Sequence, residues 1–197
     1  MGLAGARNKK ILYHLTKVSN MESIVKNGLC PRRYLLENKL SFGDVADSSI
    51  INERMQLGLD YYTPFHFHPY LAFDVAVKKT HSSEKFVYIC IGRVFAERND
   101  FKILIKHPLS QQGVVLYDYH EGMDAIDWDT MEQVGALDEY SRNVKMAECL
   151  TDKMIPANQF QCVYVPDKET LTYIETLFRN NGILEKPPYV SERPTWF

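Results

Sequence analysis

Apolar and polar positions along the chain switch between a two-residue and a 3.6-residue period several times. Residues 11–16 (ILYHLT) read as a short strand. Ser19-Asn20 then offers a helix N-cap pair, with Glu22 in the first turn, Ile24 and Leu29 as apolar positions, and Gly28 closing the helix. A mixed stretch over 34–60, with weak helical periodicity and turn residues at Gly43-Asp44, reads as a mobile loop-helix segment. Residues 61–67 are aromatic and extended, and Pro64, which has no N–H to give a ladder, places them at a sheet edge or a strand start. Residues 70–79 carry a helical pattern, and 85–91 (KFVYICI) form a strand apolar enough to be buried on both faces.

Further on, 113–117 (GVVLY) predicts another strand. From 117 to 144 polarity rises, yet Trp128, Met131, Val134 and Leu137 recur at helical spacing, which predicts a structured excursion. Strand character resumes at 146–150 and 160–165, then Pro166-Asp167-Lys168-Glu169 introduces a helix over 168–180 that ends near Gly182. Residues 187–197 read as a peripheral extension. Helices grouped early and late around several short strands give an α+β class.

Length and composition narrow the function classes. The 197 residues fit one domain with one sizeable core. No apolar run approaches the roughly 18–20 residues of a membrane helix, and Ile11-Leu12-Tyr13 is too brief for a secretory leader, so a cytoplasmic chain is expected. Cys30, Cys90, Cys149 and Cys162 form no close pair and read as reduced core thiols. The net charge of -2 lacks the global basic signature of a duplex-DNA binder. Neither a glycine-rich dinucleotide fingerprint after a strand nor a P-loop is present.

Five polar features stand out: His14 at a strand end, Arg54 in the loop-helix segment, the pair His66 and His68, His120 beside Asp118, and Glu148. Glu148 is the most telling, because Met146-Ala147-Glu148-Cys149-Leu150 sets an acid among residues that favour burial, and a buried carboxylate needs a partner. The alternative is that strand alternation turns Glu148 outward, solvated and inert. His66 and His68 alternate with Phe65 and Phe67, so both rings would share one face and, with His120 or Asp118, admit a metal-dependent hydrolase. A non-catalytic nucleic-acid or protein-binding module is a third reading.

Taken in order, several motifs resemble the DarT family of DNA ADP-ribosyltransferase toxins. The opening Leu12-Tyr13-His14-Leu15-Thr16, followed by Asn20-Met21-Glu22-Ser23-Ile24 and Asn27-Gly28-Leu29, is similar to that family's first motif. Arg54 precedes Tyr62-Thr63-Pro64-Phe65-His66-Phe67 at a similar spacing. Tyr117-Asp118-Tyr119-His120-Glu121-Gly122 with Ile126-Asp127-Trp128, then Arg142-Asn143-Val144-Lys145-Met146-Ala147-Glu148-Cys149-Leu150, complete the likeness over 11–166. The resemblance implies an ADP-ribosyltransferase-like fold, with a central split, antiparallel-rich sheet flanked by helices. It also implies transfer of ADP-ribose from NAD to a base in single-stranded DNA, with no metal, and a macrodomain antitoxin of the DarG type as partner.

The same resemblance implies that Glu148 is the catalytic carboxylate, acting on an oxocarbenium-like ribose as glycosidase carboxylates do. Arg54 would meet the pyrophosphate or the incoming base and take a catalytic part in proton removal, His14, Leu15, Thr16 and Ser23 would hold NAD, and residues about 30–60 would form an NAD-binding loop-helix. The excursion over about 117–147 would choose the acceptor. There His120 approaches the target base, Tyr117, Tyr119, Trp128 and Tyr140 are stacking candidates, and Arg142 and Lys145 meet phosphates. The thymine-modifying branch continues its aromatic segment with Arg-Ser-Pro-Met, whereas this chain reads His68-Pro69-Tyr70-Leu71, which leans the acceptor toward guanine.

Overall fold

The computed structural model describes residues 5–110 and 114–197. Seven strands form one sheet: β1 (Ile11–Lys17), β2 (Thr63–His66), β3 (Phe86–Gly92), β4 (Lys102–Leu104), β5 (Glu148–Thr151), β6 (Cys162–Val165) and β7 (Tyr189–Glu192), in the order β4-β5-β2-β1-β3-β6-β7. Every pairing is antiparallel except β6 with β7. Around it lie α1 (Met21–Asn27), α2 (Arg32–Glu37), α3 (Ser48–Gln56), α4 (Ala72–Thr80), α5 (Arg93–Arg98), α6 (Tyr119–Ala125), α7 (Trp128–Glu132), α8 (Glu139–Lys145) and α9 (Lys168–Asn180). The α+β class and the antiparallel-rich sheet read from the sequence are what the chain adopts.

β3 shows how its pattern builds two layers. Val87, Ile89 and Ile91 enter one cluster with Met21, Ile24 and Val25 of α1 and Ile174 and Phe178 of α9. Phe86, Tyr88 and Cys90 enter a second cluster with Tyr13, Leu15, Val77 and Cys162, against which Phe73, Trp196 and Phe197 pack. Strand alternation thus loads both faces, and each fully buried aliphatic side chain contributes about 1.5–3 kcal/mol. All four cysteines are free and buried, as read from the sequence.

The sheet is nearly split between β1 and β2. β1 and β3 share a register of seven pairs from Ile11↔Gly92 to Lys17↔Phe86, but β1 and β2 share only Tyr13↔His66. Beyond that pair the strands diverge, and the gap becomes a cleft.

Several sequence expectations are corrected. β2 is interior, between β1 and β5; the alternative reading of Pro64 as a strand start holds, since it is the second residue. Asn20 makes no cap bond to α1. Its amide instead donates to Thr16 Oγ1 (3.1 Å) and the Gly43 carbonyl (2.9 Å), and its Oδ1 accepts the Gly43 N–H (2.7 Å). Of the strand expected over 113–117, Gly113 lies outside the described residues and the rest gives only a bridge between Tyr117 and Ile103. The helical run ends at Glu132, leaving Val134 (84%) and Leu137 (82%) exposed. Residues 187–197 are no peripheral tail: β7 extends the sheet, and Trp196 lies edge-on to Tyr13, Tyr88 and Tyr164. Among the described residues no helix is long and apolar enough to cross a membrane.

Candidate active site

Glu148 opens β5, in register with His66 of β2 and Leu104 of β4, so the sheet fixes its backbone from both sides. Its side chain is only 4% exposed, which removes the outward, solvated alternative. Arg54, in the last turn of α3, closes on it as a fork: Nη1 donates to Oε1 at 2.8 Å and Oε2 at 3.1 Å, and Nη2 donates to Oε2 at 3.1 Å. Burial pushes the carboxyl pKa up, but Arg54, His66 and His107 together outweigh it and hold the group below the usual carboxylate range. The acid is therefore ionised at neutral pH.

Across the split, His14 of β1 lies with Nδ1 2.8 Å from the Pro64 carbonyl of β2. Burial, aided by His66 and Arg54, drives its pKa down to about 4, so the ring is neutral near pH 7. Since Nδ1 faces a carbonyl it must carry the hydrogen, which leaves Nε2 as a bare acceptor. His14, Leu15, Thr16, Ser23, Arg54 and Glu148 all line one cleft, whose opposite wall comes from α2, α3 and residues 42–46. That wall is latched: Arg32 donates to Asp44 through Nε (2.9 Å) and Nη2 (3.0 Å), and Asn20 holds Gly43. Three buried oxygens of cleft-lining residues, Thr63 Oγ1 and both carboxylate oxygens of Asp60, have no hydrogen-bond partner.

Comparison with known proteins places this arrangement. A family model described as "ssDNA thymidine ADP-ribosyltransferase, DarT" matches residues 13–197. The chain belongs to the DarT family. Thermus sp. 2.9 DarT in complex with ADP-ribosylated ssDNA is 17% identical, with a TM-score of 0.79 over 96% of this chain and 97% of that one. The Thermus protein in complex with NAD+ is 16% identical, with a TM-score of 0.74 over 95% and 97%. Thermosipho africanus DarTG in complex with ADP-ribose is 19% identical, with a TM-score of 0.73, and this chain covers 51% of it. No curated protein matches. At these identities the solved structures establish a shared fold.

This DarT-family chain does not bring every residue singled out from the sequence to the cleft. His120 is 80% exposed on α6, with Nε2 3.3 Å from Glu97. Gly122 explains the orientation: a Cβ there would lie 2.2 Å from Ile103 Cβ, so α6 packs that face on β4 and turns His120 to solvent. Tyr119 packs half-buried against the core, while Arg142 is exposed on α8 outside the cleft lining. Lys145 is corrected as a phosphate contact, because its Nζ is turned inward to the carbonyls of Met131 (2.9 Å) and Gln133 (2.6 Å). Trp128 is buried, its Nε1 donating to the Met123 carbonyl at 2.7 Å, so it is core and not a stacking surface.

The metal reading loses its ligands in the same way. His68 is buried, with Nε2 3.1 Å from the Lys145 carbonyl and Nδ1 3.3 Å from the Pro69 carbonyl, so both nitrogens face backbone oxygens. Among the described residues no group of three or more His, Cys, Asp or Glu side chains is arranged to hold a metal ion. Sequence reasoning missed His107, which lines the cleft near Glu148; its Nδ1 accepts the Leu109 N–H at 3.3 Å, and burial lowers its pKa. An isolated histidine between Lys106 and Pro108 carries no local signal beyond a turn.

Proposed function

We propose that this chain transfers ADP-ribose from NAD+ to a base in single-stranded DNA, releasing nicotinamide, with Glu148 as the catalytic carboxylate. The observation that carries the proposal is the buried, ionised Glu148 held by Arg54 in a cleft that also presents the neutral His14, within a chain matched by the DarT family model from residue 13 to 197. The residues fit a dinucleotide. Nε2 of His14 accepts a ribose hydroxyl, Thr16 and Ser23 add hydroxyl groups to the lining, and Thr63 Oγ1 of β2 stands unpaired.

In the reaction the C–N bond between the ribose anomeric carbon and nicotinamide breaks, its electron pair leaving with nicotinamide. A base nitrogen bonds the same carbon with its lone pair, and the proton it loses passes to solvent water, so that one H+ is released for each neutral nicotinamide. Glu148 acts electrostatically, since a fixed negative charge in a water-poor cleft favours a sugar that turns cationic more than it favours the neutral ribose. Arg54 keeps that carboxylate oriented and ionised before substrate enters, and its guanidinium is placed to shift toward phosphate or base.

We place the acceptor as guanine ahead of thymine. What supports this is the sequence departure alone, His68-Pro69-Tyr70-Leu71 where the thymine-modifying branch has Arg-Ser-Pro-Met. The family description names thymidine, so the adduct itself decides. The partner we propose is a DarG-type macrodomain antitoxin, a reading supported by the likeness to Thermosipho africanus DarTG. The test is incubation with labelled NAD+ and a mixed single-stranded oligonucleotide, with and without EDTA, followed by mass spectrometry of digested product. Label on DNA that survives chelation and disappears in Glu148→Ala is the expected result; unlabelled DNA under all conditions overturns the proposal.

A further inference from the structure

Beside the cleft, Asp60, Arg33 and Tyr61 form a unit that the chemistry above does not use. Asp60 sits in a short 3-10 turn (Leu59–Tyr61) leading into β2, its side chain 2% exposed. Arg33 of α2 brings Nε within 3.0 Å of Asp60 Oδ2, an ion pair whose alignment falls outside hydrogen-bond geometry, so neither Asp60 oxygen is hydrogen-bonded. Taking a carboxylate out of water for one imperfect pair is unfavourable, and such departures concentrate where a side chain must be held for use.

What Asp60 holds is a guanidinium whose carbon lies 4.9 Å from the centroid of the Tyr61 ring. Tyr61 is 52% exposed, and Met55 and Leu57 at the end of α3 are exposed apolar neighbours in sequence to Arg54. Among the described residues the terminal nitrogens of Arg33 have no hydrogen-bond partner. The surface is thus an exposed aromatic ring with a fixed cation over it, beside an apolar rim.

Its position relative to the reaction is defined by Tyr62. That residue lines the cleft and also packs on the buried cluster of Leu59, Leu104 and Leu150, as do Val114 and Leu116, which adjoin the excursion before Glu148. Asp60 lines the same cleft from the same turn. Tyr61 thus stands between two cleft-lining residues, Asp60 and Tyr62, at the edge of the cleft.

We propose that Tyr61 and Arg33 form the platform for a nucleotide flanking the target base. Tyr61 stacks on the flanking base, the free Arg33 nitrogens meet its phosphate, and Asp60 is a positioning residue for Arg33. This rests on the single-stranded DNA acceptor proposed above. A ring with a cation locked beside it is pre-organised for a base π-face and a phosphate together, and stacking tolerates any base identity.

The test compares the wild type with Tyr61→Ala, Tyr61→Trp and Arg33→Lys. It measures transfer kinetics, DNA-independent nicotinamide release, and anisotropy of a fluorescent single-stranded oligonucleotide, repeated with oligonucleotides abasic at each neighbour of the target. Tyr61→Ala is expected to raise oligonucleotide KM and Kd roughly tenfold. KM for NAD+ and nicotinamide release stay unchanged, Tyr61→Trp restores binding, and the Tyr61→Ala penalty vanishes on one abasic oligonucleotide. Arg33→Lys weakens binding with the charge retained, because planarity is lost. An unchanged oligonucleotide Kd in Tyr61→Ala, or a penalty equal on intact and abasic strands, overturns the platform. A wild type that binds through Tyr61 but transfers nothing supports the platform and overturns the transferase reading; one that neither binds nor transfers overturns both.

Discussion

The behaviour of the cleft is set by three side chains whose charge states differ because their surroundings do. Glu148 stays ionised through Arg54, whereas His14 stays neutral because burial dominates. Replacing Glu148 by Gln keeps shape and removes the charge that, in the proposed reaction, favours the cationic sugar. The expected result is a fall in single-turnover transfer of about 1000-fold or more, on the order of 4 kcal/mol of transition-state stabilisation, with NAD+ affinity little changed. Single-turnover kinetics alongside calorimetric NAD+ binding checks it, and an equal loss in both would make Glu148 a binding residue only.

His14 and His68 also fix how stability responds to acid. Both are held at about 4 in the fold, against 6.5 for a free imidazole. Between those values the unfolded chain binds more protons than the native one, so the stability from keeping these rings neutral is complete above pH 6.5. It falls as pH drops toward 4, and the dependence on these groups ends there. The loss is on the order of 3 kcal/mol per histidine as an upper bound. Urea unfolding at pH 7, 6 and 5 should show a steady decline, and His68→Asn should flatten part of the slope; constant stability from pH 7 to 5 would contradict the assignment.

Among the elements, the link between α7 and α8 is tied by the inward ammonium of Lys145. Lys145→Ala removes two hydrogen bonds to carbonyls and the stem that packs beside them, with an expected destabilisation of about 1–3 kcal/mol. Thermal melting should report that loss while oligonucleotide affinity, corrected for folded fraction, stays constant; a reduced salt slope of DNA binding would restore Lys145 as a phosphate contact. The sequence displays β1, β3 and α9 clearly because their signals are local: a long apolar run, or the Asp167 cap accepting the Thr170 N–H at 2.8 Å. It hides β4, only three residues long, and β7, whose parallel partner β6 lies more than 20 positions away and whose composition is polar. Glu148 is legible as an acid in an apolar run, whereas His14 and Arg54 stand out as polar residues but gain a role only through ordered motif likeness. His107 and Asp60 are invisible because tertiary packing alone brings them to the cleft, and His120 misleads because Gly122, not the histidine, decides which face of α6 is buried.

At the scale of the molecule, the sheet is two sheets held by one register pair. β4, β5 and β2 carry Glu148 and His66, β1, β3, β6 and β7 carry His14 and Thr16, and only Tyr13↔His66 joins them in the ladder. The same gap that opens into the cleft leaves the joint short of cross-strand bonds, with His14 Nδ1 donating to the Pro64 carbonyl as a bridge. A ligand that touches both halves therefore adds contacts at the weakest seam of the fold. NAD+ at about 100 times its Kd should stabilise the native state by about 2.7 kcal/mol, which for a chain of this size corresponds to roughly 5–10 °C in Tm. Hydrogen exchange should slow most in 14–16, 63–66 and the latched segment 42–46, and least in β6, β7 and α9. Slowing spread evenly over the sheet, or confined to α9 and β7, would place the dinucleotide away from the seam and remove the basis for pairing His14 with Glu148 in one site.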